Sequence, residues 1–246
     1  MILTVAFGKG GTGKSSTVCA LANYARMQKR SVLVIDCDPQ ANSTYSLGGN
    51  AAAPGLFSVL TGKQSALNVI QHTSQADIIS SGLEMAMAEK EISRKKDSFL
   101  LKKAIAQLRS KYDIILLDTQ PALNVILINA LAASDSVLLP MKANSFSVMG
   151  LYQMRRTIEE VRAINPALSV AGILLVEYKP RQTLAADLRT DIEQQAQAMG
   201  TKVFSTYIHS SVAVEQAQAM QQSLFEFAPS SKPAKDYAAL YEEMNL

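Results

Sequence analysis

The chain has 246 residues, of which 48% are hydrophobic and 18% charged, with a formal net charge of +3. A chain of this length and apolarity buries a large core, and its low charge content excludes a disordered segment as the working part. A balance of +3 permits contact with nucleic acid without requiring it. Cys19 and Cys37 form no Cys-x-x-Cys pair, which excludes a disulfide framework and points to reduced, buried thiols in a cytoplasmic protein. The N-terminus has no basic n-region, and no apolar stretch approaches the ~20 residues of a membrane helix. No linker or repeat divides the chain, so one domain over residues 1–246 is expected.

The first apolar run, Ile2 to Phe7, reads as a strand and opens onto Gly8-Lys9-Gly10-Gly11-Thr12-Gly13-Lys14-Ser15. A helical pattern follows from Ser16 to Met27. Ser31 to Asp36 is an almost wholly apolar strand, as expected where both faces of a parallel sheet are covered. Further strands are expected at 77–80, 112–118, 136–140, 170–176 and 202–205. Helices are expected at 100–110, 123–132, 148–164, 184–199, 213–221 and 233–244. Ser230-Ser231-Lys232-Pro233 reads as the cap of the last helix. Residues 50–98 carry the weakest pattern: a Pro-Gly loop before a short helix, then the charge run Glu89 to Asp97. Strand and helix alternate along the chain. The expected fold is therefore α/β, a doubly wound, mostly parallel sheet with helices on both faces, binding its ligand at the carboxyl ends of the strands.

Gly8 to Ser15 fits Gly-x-x-x-x-Gly-Lys-Ser, a phosphate-binding loop between a strand and a helix. Glycines leave room for phosphate to approach the backbone N–H groups, and the helix start adds its dipole. Gly10, Gly11, Thr12, Gly13, Lys14, Ser15 and Ser16 are the expected nucleotide-binding residues, with Lys14 on the β/γ-phosphates and Ser15 on Mg²⁺. The second strand ends in Asp36-Cys37-Asp38-Pro39-Gln40. Asp38 is expected to position or activate the attacking water, and Asp36 to support the metal shell. The strand at 112–118 ends in Asp118, expected to hold Mg²⁺ opposite Ser15, before a γ-phosphate-sensing loop at Thr119 to Ala122. Lys9 is a second lysine that the general motif does not need. A cation there can meet charge developing in hydrolysis, and it is expected to be supplied across a dimer interface.

Lys9 to Ser15 matches the deviant Walker A motif with its signature lysine. Together with Asp36 to Gln40 and Asp118 to Pro121, the chain resembles the ParA/MinD family of ATPases, a deviant Walker A type of P-loop NTPase. Asp38-Pro39-Gln40-Ala41-Asn42-Ser43, Leu175 to Tyr178 with Arg181 to Thr183, and Val203 to Ile208 make it most similar to the ParA-type DNA-partition branch. The resemblance covers nearly the whole chain, residues 50–98 matching least. It implies an ATP- and Mg²⁺-dependent ATPase whose homodimer sandwiches two nucleotides, with Lys9 reaching the partner's. It also implies non-specific DNA binding by the ATP dimer, and a ParB-type centromere-binding protein that stimulates slow hydrolysis on the nucleoid. The chain opens on its first strand, so the helix-turn-helix extension of longer members, and autorepression of an operator with it, is not expected. Gln120 stands where the family carries proline, and His209 to Ala213 offers no arginine where members often present one.

For DNA, the basic residues of the last third are the expected phosphate contacts: Lys179, Arg181, Arg189, Lys202, Lys232 and Lys235. An alternative is a MinD-like or cargo-positioning ATPase that moves a protein complex on membrane or nucleoid. The membrane form needs a basic amphipathic C-terminal helix. The chain ends instead in Ala238 to Leu246, with Glu242 and Glu243 and no lysine, so no membrane partner is expected. An iron–sulfur carrier on the same fold would need interfacial cysteines, which Cys19 and Cys37 do not supply.

Overall fold

The apolar strands divide their side chains between two layers. In β2 (Val32–Asp36) Val32 and Val34 enter one core cluster, Leu33 and Ile35 another. In β5 (Ile114–Asp118) Ile114 and Leu116 part from Ile115 and Leu117 in the same way. Strands that bury both faces need a helical layer on each. This computed structural model, which describes residues 1–95, 97–178 and 183–246, shows both layers.

One sheet of eight strands runs in the order β3-β4-β2-β5-β1-β6-β7-β8. The other strands are β1 (Ile2–Val5), β3 (Ile70–His72), β4 (Asp77–Ile79), β6 (Ser136–Met141), β7 (Ser169–Val176) and β8 (Val203–Ile208). Every pairing is parallel except β3 with β4. One face is covered by α1 (Lys14–Met27), α9 (Val212–Ala219), α10 (Leu224–Phe227) and α11 (Lys232–Met244). The other carries α3 (Leu56–Leu60), α4 (Ala88–Lys95), α5 (Leu100–Ile105), α6 (Val125–Ala133), α7 (Ser145–Arg162) and α8 (Thr183–Ala198). This is the doubly wound α/β sheet expected from the alternation.

The differences from expectation lie at the edges. β3 is three residues long, partly exposed and antiparallel, too short to show an alternation in sequence. The charge run after residue 88 forms α4 with Ile92 buried beneath it. β8 runs on to Ile208, beyond the expected end at 205. As an edge strand it would expose free N–H groups. Glu243 of α11 covers two of them, accepting from the N–H groups of Ser205 and Thr206 at 2.9 Å each. Ser231 caps α11 by accepting from Ala234 N–H at 3.3 Å, with Pro233 in the first turn, as the sequence predicts.

Candidate nucleotide site

The carboxyl ends of β1, β5 and β2 lie side by side, with Val5 in register with Asp118 and Asp118 with Asp36. The loop from Gly8 leaves β1 here, and α1 begins at Lys14. Gly13 enters the helix at φ 76°, a left-handed conformation that favours glycine. Gly10 to Ser16 line an open cavity of about 610 Å³, together with Asp38, Gln40, Asn42, Tyr45, Ser46, Pro121, Gln218 and Ala219. All seven expected nucleotide-binding residues thus line one cavity at the N-terminus of α1.

Lys14 is buried at the floor and donates from Nζ to the Lys9 carbonyl at 3.1 Å. Burial lowers its pKa, opposed by the charges of Asp118 and Asp38. Asp38 lies on the cavity wall, its Oδ1 accepting from Gln40 N–H at 2.9 Å. Asp118 is fully buried. Its Oδ2 accepts from the Ser43 hydroxyl at 2.5 Å, while its Oδ1 is buried with no hydrogen-bond partner. Burial pushes the Asp118 carboxyl up to about 6, opposed first by the Ser43 hydrogen bond, then by the nearby Ser15 and the charge of Lys14.

An unpartnered buried carboxylate oxygen near a serine hydroxyl suits a hard cation such as Mg²⁺. Among the described residues no group of three His, Cys, Asp or Glu could hold a metal alone. Mg²⁺ takes one or two protein oxygens and completes its shell with phosphate and water. Ser15 and Asp118 are the residues that fit it. Asp36, expected to support the metal shell, is occupied as an anchor. Its Oδ2 accepts from Thr44 N–H at 2.9 Å and Thr44 Oγ1 at 2.8 Å, and its Oδ1 from Asp38 N–H at 3.0 Å. Burial and the charge of Asp118 push it up to about 7. Its contribution is to fix the turn that carries Asp38.

Lys9 is absent from the cavity wall. Its ammonium group lies 5.1 Å from the centre of the Phe146 ring and donates to Asn144 Oδ1 at 3.5 Å, at the start of α7. Phe146 is 78% exposed, and Met149 beside it on the helix is 65% exposed. The lysine side chain thus rests at the start of α7, beside an uncovered apolar face. Pro121 of the expected sensing loop lies on the cavity rim, and Thr119 Oγ1 donates to the Val5 carbonyl at 3.0 Å.

Sequence reasoning did not find the outer wall. Gln218 and Ala219 of α9 close this side of the cavity: Tyr45 donates from its hydroxyl to the Ala219 carbonyl at 3.2 Å, and Ser16 of α1 to Gln218 Oε1 at 3.5 Å. Those residues come from a helix some 200 positions downstream of the loop, with no motif of their own. Cys19 and Cys37 are buried, and burial raises both thiols.

Four of the six expected DNA contacts lie among the described residues. Lys179 and Arg181 lie outside the described residues. Arg189 pairs with Glu193 at 2.8 Å, and Lys202 approaches Glu243 at 3.5 Å. Lys232 and Lys235 are exposed in the first turns of α11. Glu243 is in its last turn, about 12 Å away along the helix at 1.5 Å per residue.

A strand, a glycine-rich turn and a helix that cradle phosphate beneath a buried carboxylate define a phosphate-loop nucleotide hydrolase. A family model described as an AAA domain matches residues 1–170. The chromosome-partitioning ATPase Soj of Thermus thermophilus is 34% identical, covering 98% of this chain and 94% of its own. The chromosome partitioning protein ParA of Caulobacter vibrioides is 30% identical, covering 99% and 93%. The crystal structure of cobyrinic acid a,c-diamide synthase from Mycobacterium smegmatis with bound ADP and magnesium superposes with a TM-score of 0.83 at 28% identity, covering 98% of this chain and 92% of that one. The chain belongs to the ParA/MinD family of ATPases.

Proposed function

We propose that the chain is an ATP-switched homodimer that binds DNA without sequence preference and segregates a plasmid or chromosome with a ParB-type partner. The whole of residues 1–246 acts as one unit, in the cytoplasm and on the nucleoid. The observation that carries the dimer is the direction of Lys9, outside its own cavity and beside the exposed Phe146 and Met149. A cation held there is free to serve a facing subunit.

In this reading the N–H groups of Gly10 to Ser16 bind the phosphates and Lys14 turns from the Lys9 carbonyl to the β/γ-phosphates. Ser15 and Asp118 would hold Mg²⁺, which would supply positive charge against the phosphates. Asp38, steadied by Asp36, orients the water for in-line attack. The partner's Lys9 meets the charge on the leaving phosphate.

The membrane alternative finds little support in α11. Its apolar residues Tyr237, Leu240 and Tyr241 are buried in the core cluster shared with α1. Light scattering tests the dimer: the parent should double its mass with ATP and Mg²⁺, and Lys9→Ala should stay monomeric while still binding nucleotide. Binding to random-sequence DNA should require ATP and weaken steeply with salt. Dimers that ignore DNA at low salt would favour a protein cargo.

A further inference from the structure

The short helix α2 (Asn42–Ser46) follows the Asp38 turn, and the first of its two serines, Ser43, does not cap the helix. The N-cap of α2 is Ala41, with no side-chain cap. Ser43 instead donates across 75 residues of sequence to Asp118 Oδ2 at 2.5 Å. Both side chains are fully buried. From the other side Cys19 Sγ of α1 approaches Ser43 Oγ at 3.9 Å, a weak donor that leaves the serine proton to the carboxylate. The next residue, Thr44, holds Asp36 through both its N–H and its hydroxyl. One turn of helix thus grips two carboxylates on neighbouring strands.

The grip on Asp118 is one-sided. Oδ2 is engaged, and Oδ1 is left buried without a partner. A carboxylate free to turn about its last bond would exchange the two oxygens. A short hydrogen bond from a hydroxyl fixes the plane and decides which oxygen stays open. We infer that Ser43 is a positioning residue that locks Asp118 with one oxygen presented to Mg²⁺, and that it ties the metal carboxylate to the turn carrying Asp38. This rests on the reading of the cavity as a Mg²⁺–nucleotide site.

The link follows from covalent geometry. Asp38 and Ser43 are five residues apart on one turn, anchored at Asp36 by Asp38 N–H and by Thr44. Ala41 closes it at φ 53°, its N–H donating to the Asp38 carbonyl at 2.9 Å. Asp118 is therefore coupled to the Asp38 turn through Ser43 by contacts within the protein.

The test is titration of a fluorescent ADP analogue with Mg²⁺ and, separately, in EDTA, under reducing conditions. The gain in affinity that Mg²⁺ brings is the readout, with no turnover involved. Ser43→Ala should lose about tenfold of that gain while its affinity in EDTA stays within about threefold of the parent. Ser43→Cys, of similar shape with a weaker donor, should fall between them and melt close to the parent without nucleotide. A parental Mg²⁺ gain in either variant would overturn the inference. So would an equal loss with and without Mg²⁺, which would mark Ser43 as structural only. If Ser43→Ala does not melt cooperatively, Ser43→Cys decides by the same criterion. A parent with no Mg²⁺ gain at all would instead refute the site reading, before any variant is made.

Discussion

The carboxyl ends of β1, β5 and β2 and the basic surface of α8 to α11 are built by opposite rules. At the strand ends the polar groups are buried and most are matched: Asp36 by Thr44 and Asp38, Asp38 by Gln40, Asp118 by Ser43, Thr119 by Val5. Burying them unmatched would be costly, so few residues satisfy each position. On the surface, Arg189 and Lys202 lie against acids of their own chain, and Lys232 and Lys235 face water. Such pairs contribute little and constrain little. Chemistry concentrates where a substitution is expensive, and diffuse attraction sits where it is cheap.

Substitutions should therefore separate the regions by size of effect. Lys14→Ala should weaken nucleotide binding by at least about a hundredfold and leave no measurable hydrolysis, since it empties a buried position facing two carboxylates. Calorimetric titration with ATP checks this, and a parental affinity would contradict the site. Asp38→Ala should keep nucleotide and reduce hydrolysis by about a thousandfold, as for loss of a group that orients or deprotonates the water. Phosphate release in single turnover reads it directly.

The basic surface should respond mildly. Lys232→Ala and Lys235→Ala should each weaken DNA binding a few-fold at moderate salt and lower the salt slope by about one unit. Loss of all binding from either one would show that a single residue, not summed charge, carries the DNA contact. Glu243 gives the smallest effect, in stability. Partial burial pushes its carboxyl up, but the N–H groups of Ser205 and Thr206 outweigh it and hold it down, to about 2. The unfolded chain keeps an ordinary glutamate pKa, so the ionised form favours the fold. Its stabilisation is complete above about pH 5 and fades as pH falls toward 2. Glu243→Gln should cost about 1 kcal/mol at pH 7, and the gap to the parent should narrow between pH 5 and 3 in denaturant melts.

The same contrast explains what the sequence reveals. The loop, Asp38 and Asp118 are legible because each follows an apolar strand at the point where a parallel sheet binds ligands. The parallel core is legible because Val32 to Asp36 and Ile114 to Asp118 bury both faces. β3 is not legible, since three half-exposed residues set no period. Nor is the outer wall, because Tyr45, Gln218 and Ala219 meet only in the folded chain. Asp36 is the instructive middle case. Its place at a strand end reads as a metal position, but only the fold shows both its oxygens given to the 38–44 turn. Ser43 is similar: the motif shows the residue, and the contact with Asp118 gives it a task.

In the proposed dimer, Lys9 of one subunit serves the nucleotide of the other. Mixing Lys9→Ala with Asp38→Ala tests it most directly, each alone being unable to hydrolyse ATP. In a mixed dimer the Lys9→Ala subunit keeps its own Asp38 and faces an intact Lys9. If the lysine acts across a two-fold interface, an equimolar mixture should recover hydrolysis that neither variant shows alone, about a quarter of the parental ATPase rate where subunits pair at random. A mixture as inactive as either variant alone, with mixed dimers formed, would place Lys9 in its own site and contradict the account.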